Sequence, residues 1–163
     1  MSEPIWERMV IVTANDKFIC LVPQSGYRLA MADPTAPERL FAPDAPDSVL
    51  SEAIKGALSE SRFLTLEEAR VMRSLADSRD AEWARFLMER YGYKSKQALF
   101  KNMKGCSVVI SGNELILSPS HHDKLDSWGR SKDDGIEDVI IPSNSSCSAF
   151  GTALRLALSR CTG

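Results

Sequence analysis

Apolar positions run almost unbroken in two short stretches near the start of the chain, "MVIVTA" from Met9 and "FICLV" from Phe18. Both are rich in β-branched and aromatic residues, and "NDK" between them has the composition of a tight turn, so a β-hairpin is expected to open the fold. The following "YRLAMADPTAPERLFAPDAPD" crowds proline among Asp, Ala and Thr and reads as an extended crossover. From Val49 to Ser61 the period changes: Leu50, Ala53, Ile54, Ala57 and Leu58 fall on one helical stripe.

Three further helices are predicted before the pattern returns to strand. Thr65 and Glu68 have the spacing of a capping box, in which hydroxyl and carboxylate each satisfy an orphan amide. Trp83, Phe86, Leu87 and Tyr91 mark one face of the next helix, with Gly92 placed to end it in the left-handed conformation. Ser95 is a candidate cap for a short helix reaching Met103 and carrying Ala98 and Leu99 inward. "CSVVIS" and "ELILSP" then flank Gly112-Asn113, which suits a type II′ hairpin turn, and "DVIIP" from Asp138 to Pro142 adds a strand. A final helix is expected to bury Phe150, Ala153, Leu154, Ala157, Leu158 and Cys161, leaving Arg155 and Arg160 off that stripe and suited to the negative helix end.

Strands in runs separated by helices point to an α+β fold: a single domain over 1–163, a largely antiparallel sheet covered by several helices, the last of them packed on the sheet. At 163 residues one core suffices. The hydrophobic share of 44% and charged share of 26% are those of a globular protein, and no apolar run is long enough for a membrane span. The start of the chain lacks the features of a secretory signal, so a cytoplasmic location is expected. Cys20, Cys106, Cys147 and Cys161 match no metal or redox spacing and are read as reduced residues, most simply of the core.

A net charge of −2 argues against a nucleic-acid footprint over the whole chain. The charge is unevenly spread. Arg62 to Lys104 holds ten basic against six acidic residues, whereas Asp123 to Asp138 holds six acidic against three basic. The lysines of "YKSKQALFKNMK" fit the solvated face of an amphipathic helix better than a phosphate-binding strip, because four phosphate contacts without a basic domain give little affinity at physiological salt.

Chemistry is suggested most strongly by "SPSHHDKLDSWGR", where His121 and His122 are followed by Asp123, Asp126 and Trp128. Adjacent histidines in an extended segment point to opposite faces and cannot readily grip one metal, so no metal site is expected. Acid-base catalysis needs only one histidine, which keeps a small hydrolase or nuclease using this stretch as the alternative reading. No nucleophile elbow, phosphate loop or dinucleotide fingerprint accompanies it. Polar loop residues bonding nearby backbone are the simpler account.

Five words in order, "SRFLTLEEAR", "RYGYKSKQALFKNMKGCSV", "LSPSHHDKLDSWG", "VIIPSNSS" and "ALRLALSRC", resemble the immunity proteins of bacterial contact-dependent growth inhibition systems, from about Leu40 to the C-terminus. The resemblance implies a small cytoplasmic protein that binds and neutralises the toxic C-terminal domain of an exported adhesin, often a nuclease. It implies no catalysis, no cofactor and no small-molecule, nucleic-acid or membrane partner, and makes the histidine word part of the common scaffold. Partner choice is then expected where the chain departs from the shared words, at Arg130 to Asp138. Trp128, Arg130, Asp133, Asp134, Glu137 and Asp138 are the candidate toxin-binding residues, Trp128 as an aromatic anchor unless the core buries it, and the turn at Asn15 to Lys17 is next in line.

Overall fold

The computed structural model describes residues 6–36, 38–131, 134–146 and 148–163. The opening hairpin forms as expected, with β1 (Met9–Ala14) antiparallel to β2 (Ile19–Gly26). Its turn closes on Asn15, whose Oδ1 accepts the Lys17 and Phe18 amides at 2.9 and 3.2 Å, so the Asn side chain imitates a further backbone turn. The crossover is more structured than its composition suggests. β3 (Ala30–Ala32) and β4 (Arg39–Phe41) both pair with β2, β3 near its end and β4 near its start. Three-residue strands are too short to show alternation, and the prolines around them conceal the rest.

Helices α1 (Asp47–Ser59), α2 (Leu66–Ser74), α3 (Ala76–Tyr91) and α4 (Lys96–Phe100) follow. The Thr65–Glu68 capping box is present in both directions, Gly92 adopts φ +75° after α3, and Ser95 accepts the Ala98 amide at 3.0 Å. Two expectations about buried faces need correction. The stripe of α3 runs through Ala84 and Leu87, and Phe86 is 42% exposed, because 100° per residue carries it away from Leu87. Helix α4 ends at Phe100, three residues early, and it is Phe100 that joins Leu99 inside while Ala98 faces solvent.

β5 (Lys104–Ser111) and β6 (Glu114–Pro119) form the second hairpin, turning at Gly112 with φ +59° as a type II′ pair requires. β7 (His121–Lys124) and β8 (Ser127–Gly129) make a separate two-stranded ribbon, then β9 (Val139–Pro142) pairs with β6, and α5 (Ala149–Ser159) ends the fold. The main sheet has the order β3-β2-β1-β5-β6-β9, with β4 beside β2 and every named pairing antiparallel.

Strand alternation divides two cores across this sheet. Val10, Val12, Leu21, Val108, Leu115 and Leu117 point to the side covered by α1 and α5. Phe18, Cys20 and Val22 point to the other, where Leu87, Leu99, Phe100 and Met103 cover only part of the face. Arg155 departs from its expected role at the helix end. It reaches across to the start of α1, with Nε 2.6 Å from Asp47 Oδ1 and further bonds to the Pro43 and Ala45 carbonyls, and so ties the two helices together.

Candidate functional site

His121, His122 and Trp128 lie on the β7–β8 ribbon and not in the irregular loop expected for them. Each histidine is used by the scaffold. His121 Nδ1 bonds Thr162 Oγ1 at 2.8 Å, and His122 Nε2 lies 2.7 Å from the Leu125 carbonyl, closing the ribbon's own turn. The His122 ring stacks on Trp128 with centroids 4.8 Å apart. The His122 amide also donates to Thr162 O at 2.7 Å, so the ribbon grips the end of the chain. Among the described residues no three His, Cys, Asp or Glu side chains gather as a metal site.

Trp128 is half-buried, between the two alternatives posed by the sequence. Its Nε1 donates to Met103 O at 2.9 Å, and its ring meets Phe100 edge-on at 6.0 Å. A Cβ at Gly105 would lie 3.0 Å from Trp128 Cγ, so the strand below needs glycine to admit the indole. The residue is a wedge joining the ribbon to the second core, with one side left accessible.

The segment after Trp128 is organised around Arg130. Its Nε lies 2.8 Å from Asp134 Oδ2 and its Nη1 2.8 Å from Asp138 Oδ1, while the Pro119 and Ile136 carbonyls accept its remaining donors. Asp134 also accepts the amides of Ile136 and Ser131, each at 2.9 Å. Those bonds, with Ile136 first and then Arg130, hold its carboxyl down at about 2. Arg160 caps the Glu137 and Asp138 carbonyls at 3.2 and 3.3 Å, leaving the Glu137 side chain exposed. Asp133 lies outside the described residues, as does Cys147. The structure therefore brings Arg130, Asp134 and Asp138 together in one ion-paired cluster, where the sequence offered them as separate candidates.

A concavity adjoins Trp128, and sequence reasoning did not find it. Between the uncovered part of the sheet and α3 runs a groove of about 550 Å³ lined by Thr13, Arg79, Trp83, Asp126 and Trp128 among others. Burial and the nearby Asp77 and Asp126 raise the Asp80 carboxyl at its edge, against the pull of Arg79. Its residues come from distant segments with no shared motif.

Residues 8–161 match the family model described as CDI immunity protein. The chain belongs to this family. The immunity protein CdiI-YPIII of Yersinia pseudotuberculosis serotype O:3 (strain YPIII) is 38% identical over the whole length of both chains. The fold recurs in a chain of a solved CdiA-CT/CdiI toxin and immunity complex from Yersinia pseudotuberculosis, at TM-score 0.87 and 36% identity over 97% of this chain and 99% of that one. A protein of unknown function from Neisseria meningitidis shares the fold at TM-score 0.87 and 28% identity, covering 96% of each chain. For a CDI immunity protein, the structural use of both histidines explains how "SPSHHDKLDSWG" can belong to the scaffold. No helix among the described residues is long and apolar enough to cross a membrane.

Proposed function

We propose that this protein binds the C-terminal toxin domain of its cognate contact-dependent growth inhibition adhesin in the cytoplasm and neutralises it, catalysing nothing itself. The observation that carries this reading is the near full-length likeness to a chain of a solved toxin and immunity complex, beside the full-length likeness to a named immunity protein. The histidines offer the enzymatic alternative no support, since both rings are engaged in holding the ribbon and the chain end.

The toxin-facing surface is proposed at the accessible side of Trp128 and the loop from Arg130 to Asp138. The ion pairs of Arg130 with Asp134 and Asp138 hold those three side chains in place and lower the ordering cost on binding, and Trp and Arg are enriched among the residues that dominate interfaces. Glu137, exposed beside Asp138, gives the loop an acidic outer edge that complements the basic cleft of a nuclease and steers its approach.

Co-expression with the toxin domain of the adjoining adhesin gene tests the function: the two should co-purify and the cells survive. Independent migration of two folded proteins would refute it. For the surface, Glu137→Lys is a cleaner probe than reversal of Asp134, whose carboxylate is committed to the loop's own bonds. Slower association with a flatter salt dependence is expected; unchanged kinetics would move the interface elsewhere.

A further inference from the structure

The β7–β8 ribbon is a two-stranded sheet of its own, with a register shift between His122 and Lys124. A two-stranded hairpin is at best marginally stable by itself, so its orientation depends on what pins it. Trp128 pins it to the second core, through Met103 O and the Phe100 ring. A second pin comes from the residues after α5, which act as a third strand. Thr162 bridges His121 in parallel, accepting the His122 amide on its carbonyl at 2.7 Å and donating its own amide to Ser120 O at 3.2 Å. Gly163 packs so closely that a Cβ there would lie 2.5 Å from His122 O, at a φ of +106° that other residues rarely adopt.

This strap is itself anchored. Leu154 and Leu158 of α5 are buried in the first core, and Cys161 Sγ donates to Gly105 O at 3.3 Å. The ribbon is thus tied to both cores, by Trp128 to one and by Thr162 to the other. The end of α5 also holds the loop that follows the ribbon, since Arg160 Nη1 donates to the Glu137 and Asp138 carbonyls at 3.2 and 3.3 Å. Two positions apart, Arg160 and Thr162 therefore grip the end and the beginning of the stretch from His121 to Asp138, which carries Trp128 and the Arg130 ion pairs. Thr162, Arg130 and Asp134 also line a common concavity.

We propose that Thr162 is a positioning residue for the toxin-facing surface: its backbone, seated by Gly163 against His122, fixes the ribbon and with it the place at which Trp128 and the Arg130 loop meet the toxin. The inference rests on the proposed toxin binding and adds what keeps that face in position. The backbone carries the effect, because the amide and carbonyl of Thr162 make two of its bonds to the ribbon and the hydroxyl only the third, to His121. A released ribbon occupies the binding-competent position for part of the time, and apparent affinity falls by that fraction. Losing a hydrogen bond of ordinary net strength there corresponds to a loss of about tenfold.

Thr162→Pro removes the amide donated to Ser120, and Gly163→Val cannot seat against His122. Thr162→Val keeps both backbone bonds and loses only the hydroxyl. The toxin domain of the adjoining adhesin gene is titrated against wild type and the three variants, and amide exchange is followed in each free protein. In Thr162→Pro and Gly163→Val the His122 amide should exchange faster while β1 and β5 stay protected, and the toxin should bind about tenfold more weakly. Thr162→Val should bind as wild type does. A merely structural role would lower the urea midpoint and leave affinity unchanged. If Thr162→Pro does not fold, Gly163→Val carries the test. Faster His122 exchange with wild-type affinity overturns the inference and leaves toxin binding intact, as does a His122 amide that stays protected in both variants. Equal weakening in Thr162→Val would trace the effect to the hydroxyl and overturns the backbone strap. No binding of the toxin by wild type overturns the proposed function as well.

Discussion

Gly151 of α5 lies directly against the backbone of Asp47 at the start of α1, so that a Cβ at position 151 would come within 2.7 Å of Asp47 Cα and closer still to its carbonyl. The Gly151 amide also donates to the buried Ser51 hydroxyl at 2.8 Å, and Arg155 ties α5 to Asp47 one turn further on. Helix propensity alone would make Gly151→Ala stabilising by about 1 kcal/mol. The close approach makes the opposite sign the expectation, a loss of about 1–3 kcal/mol, since neither helix can retreat without opening the first core. Urea denaturation decides between the signs.

Asp33 should govern part of the acid stability. Burial raises its carboxyl, but hydrogen bonds from Arg62, Ser25 and Thr35 outweigh that and hold it well below the usual carboxylate range. A carboxyl depressed in the folded state contributes fully above its unfolded value, near 3.9, and its contribution disappears as pH falls toward the folded value. Wild type is therefore expected to lose stability steeply below about pH 4. Asp33→Asn should be less stable by about 2 kcal/mol at neutral pH and show a flatter acid limb in thermal melts between pH 5 and 2. An unchanged acid limb would assign the acid sensitivity to other groups.

The parts of this fold that were legible in the sequence are those whose signal is local. The Thr65–Glu68 box and the Asn15 turn report a backbone geometry that their own side chains hold, and Gly92 and Gly112 report positive φ that the lack of a Cβ permits. Helical periodicity likewise placed Leu50, Ile54 and Leu58 of α1 and Phe150, Leu154 and Leu158 of α5 in the first core, because each stripe repeats over several turns. What escaped depends on contacts made at a distance. Arg155 could not be matched to Asp47, more than one hundred positions earlier, from its helical phase. Asp134 and Asp138 counted as bare acids until Arg130 was seen to fold between them. The groove is assembled from β1, β2, β3, α3, α4 and the ribbon, and an unpaired atom such as Trp83 Nε1 has no sequence signature at all.

Removing both ribbon histidines separates scaffold from contact. His121→Ala loses the bond to Thr162, and His122→Ala loses the bond to Leu125 O and the stacking on Trp128. Each loss is expected to cost about 0.5–1.5 kcal/mol. Toxin neutralisation should persist wherever the double variant is folded, as circular dichroism and a protection assay on the same strain would show. A folded double variant that no longer protects would return the histidines to the binding or catalytic surface.

Arg130→Ala tests whether the loop acts through its shape or through its charge, because the two accounts predict opposite kinetics. The substitution removes the cation held by Asp134 and Asp138 and the cap on the Pro119 and Ile136 carbonyls. If the loop served only to steer a basic toxin, uncovering two carboxylates would strengthen the attraction and speed association at low salt. If the toxin reads a folded loop, the variant must order that segment on binding, and the cost appears mainly in dissociation. We expect the second: amide exchange rising at Ile136 and its neighbours in the free protein, association little changed, and dissociation faster by about tenfold. Arg130→Lys retains the charge without the planar fork and should resemble Arg130→Ala in exchange and dissociation. Faster association with unchanged dissociation in Arg130→Ala would show that the loop acts by charge alone.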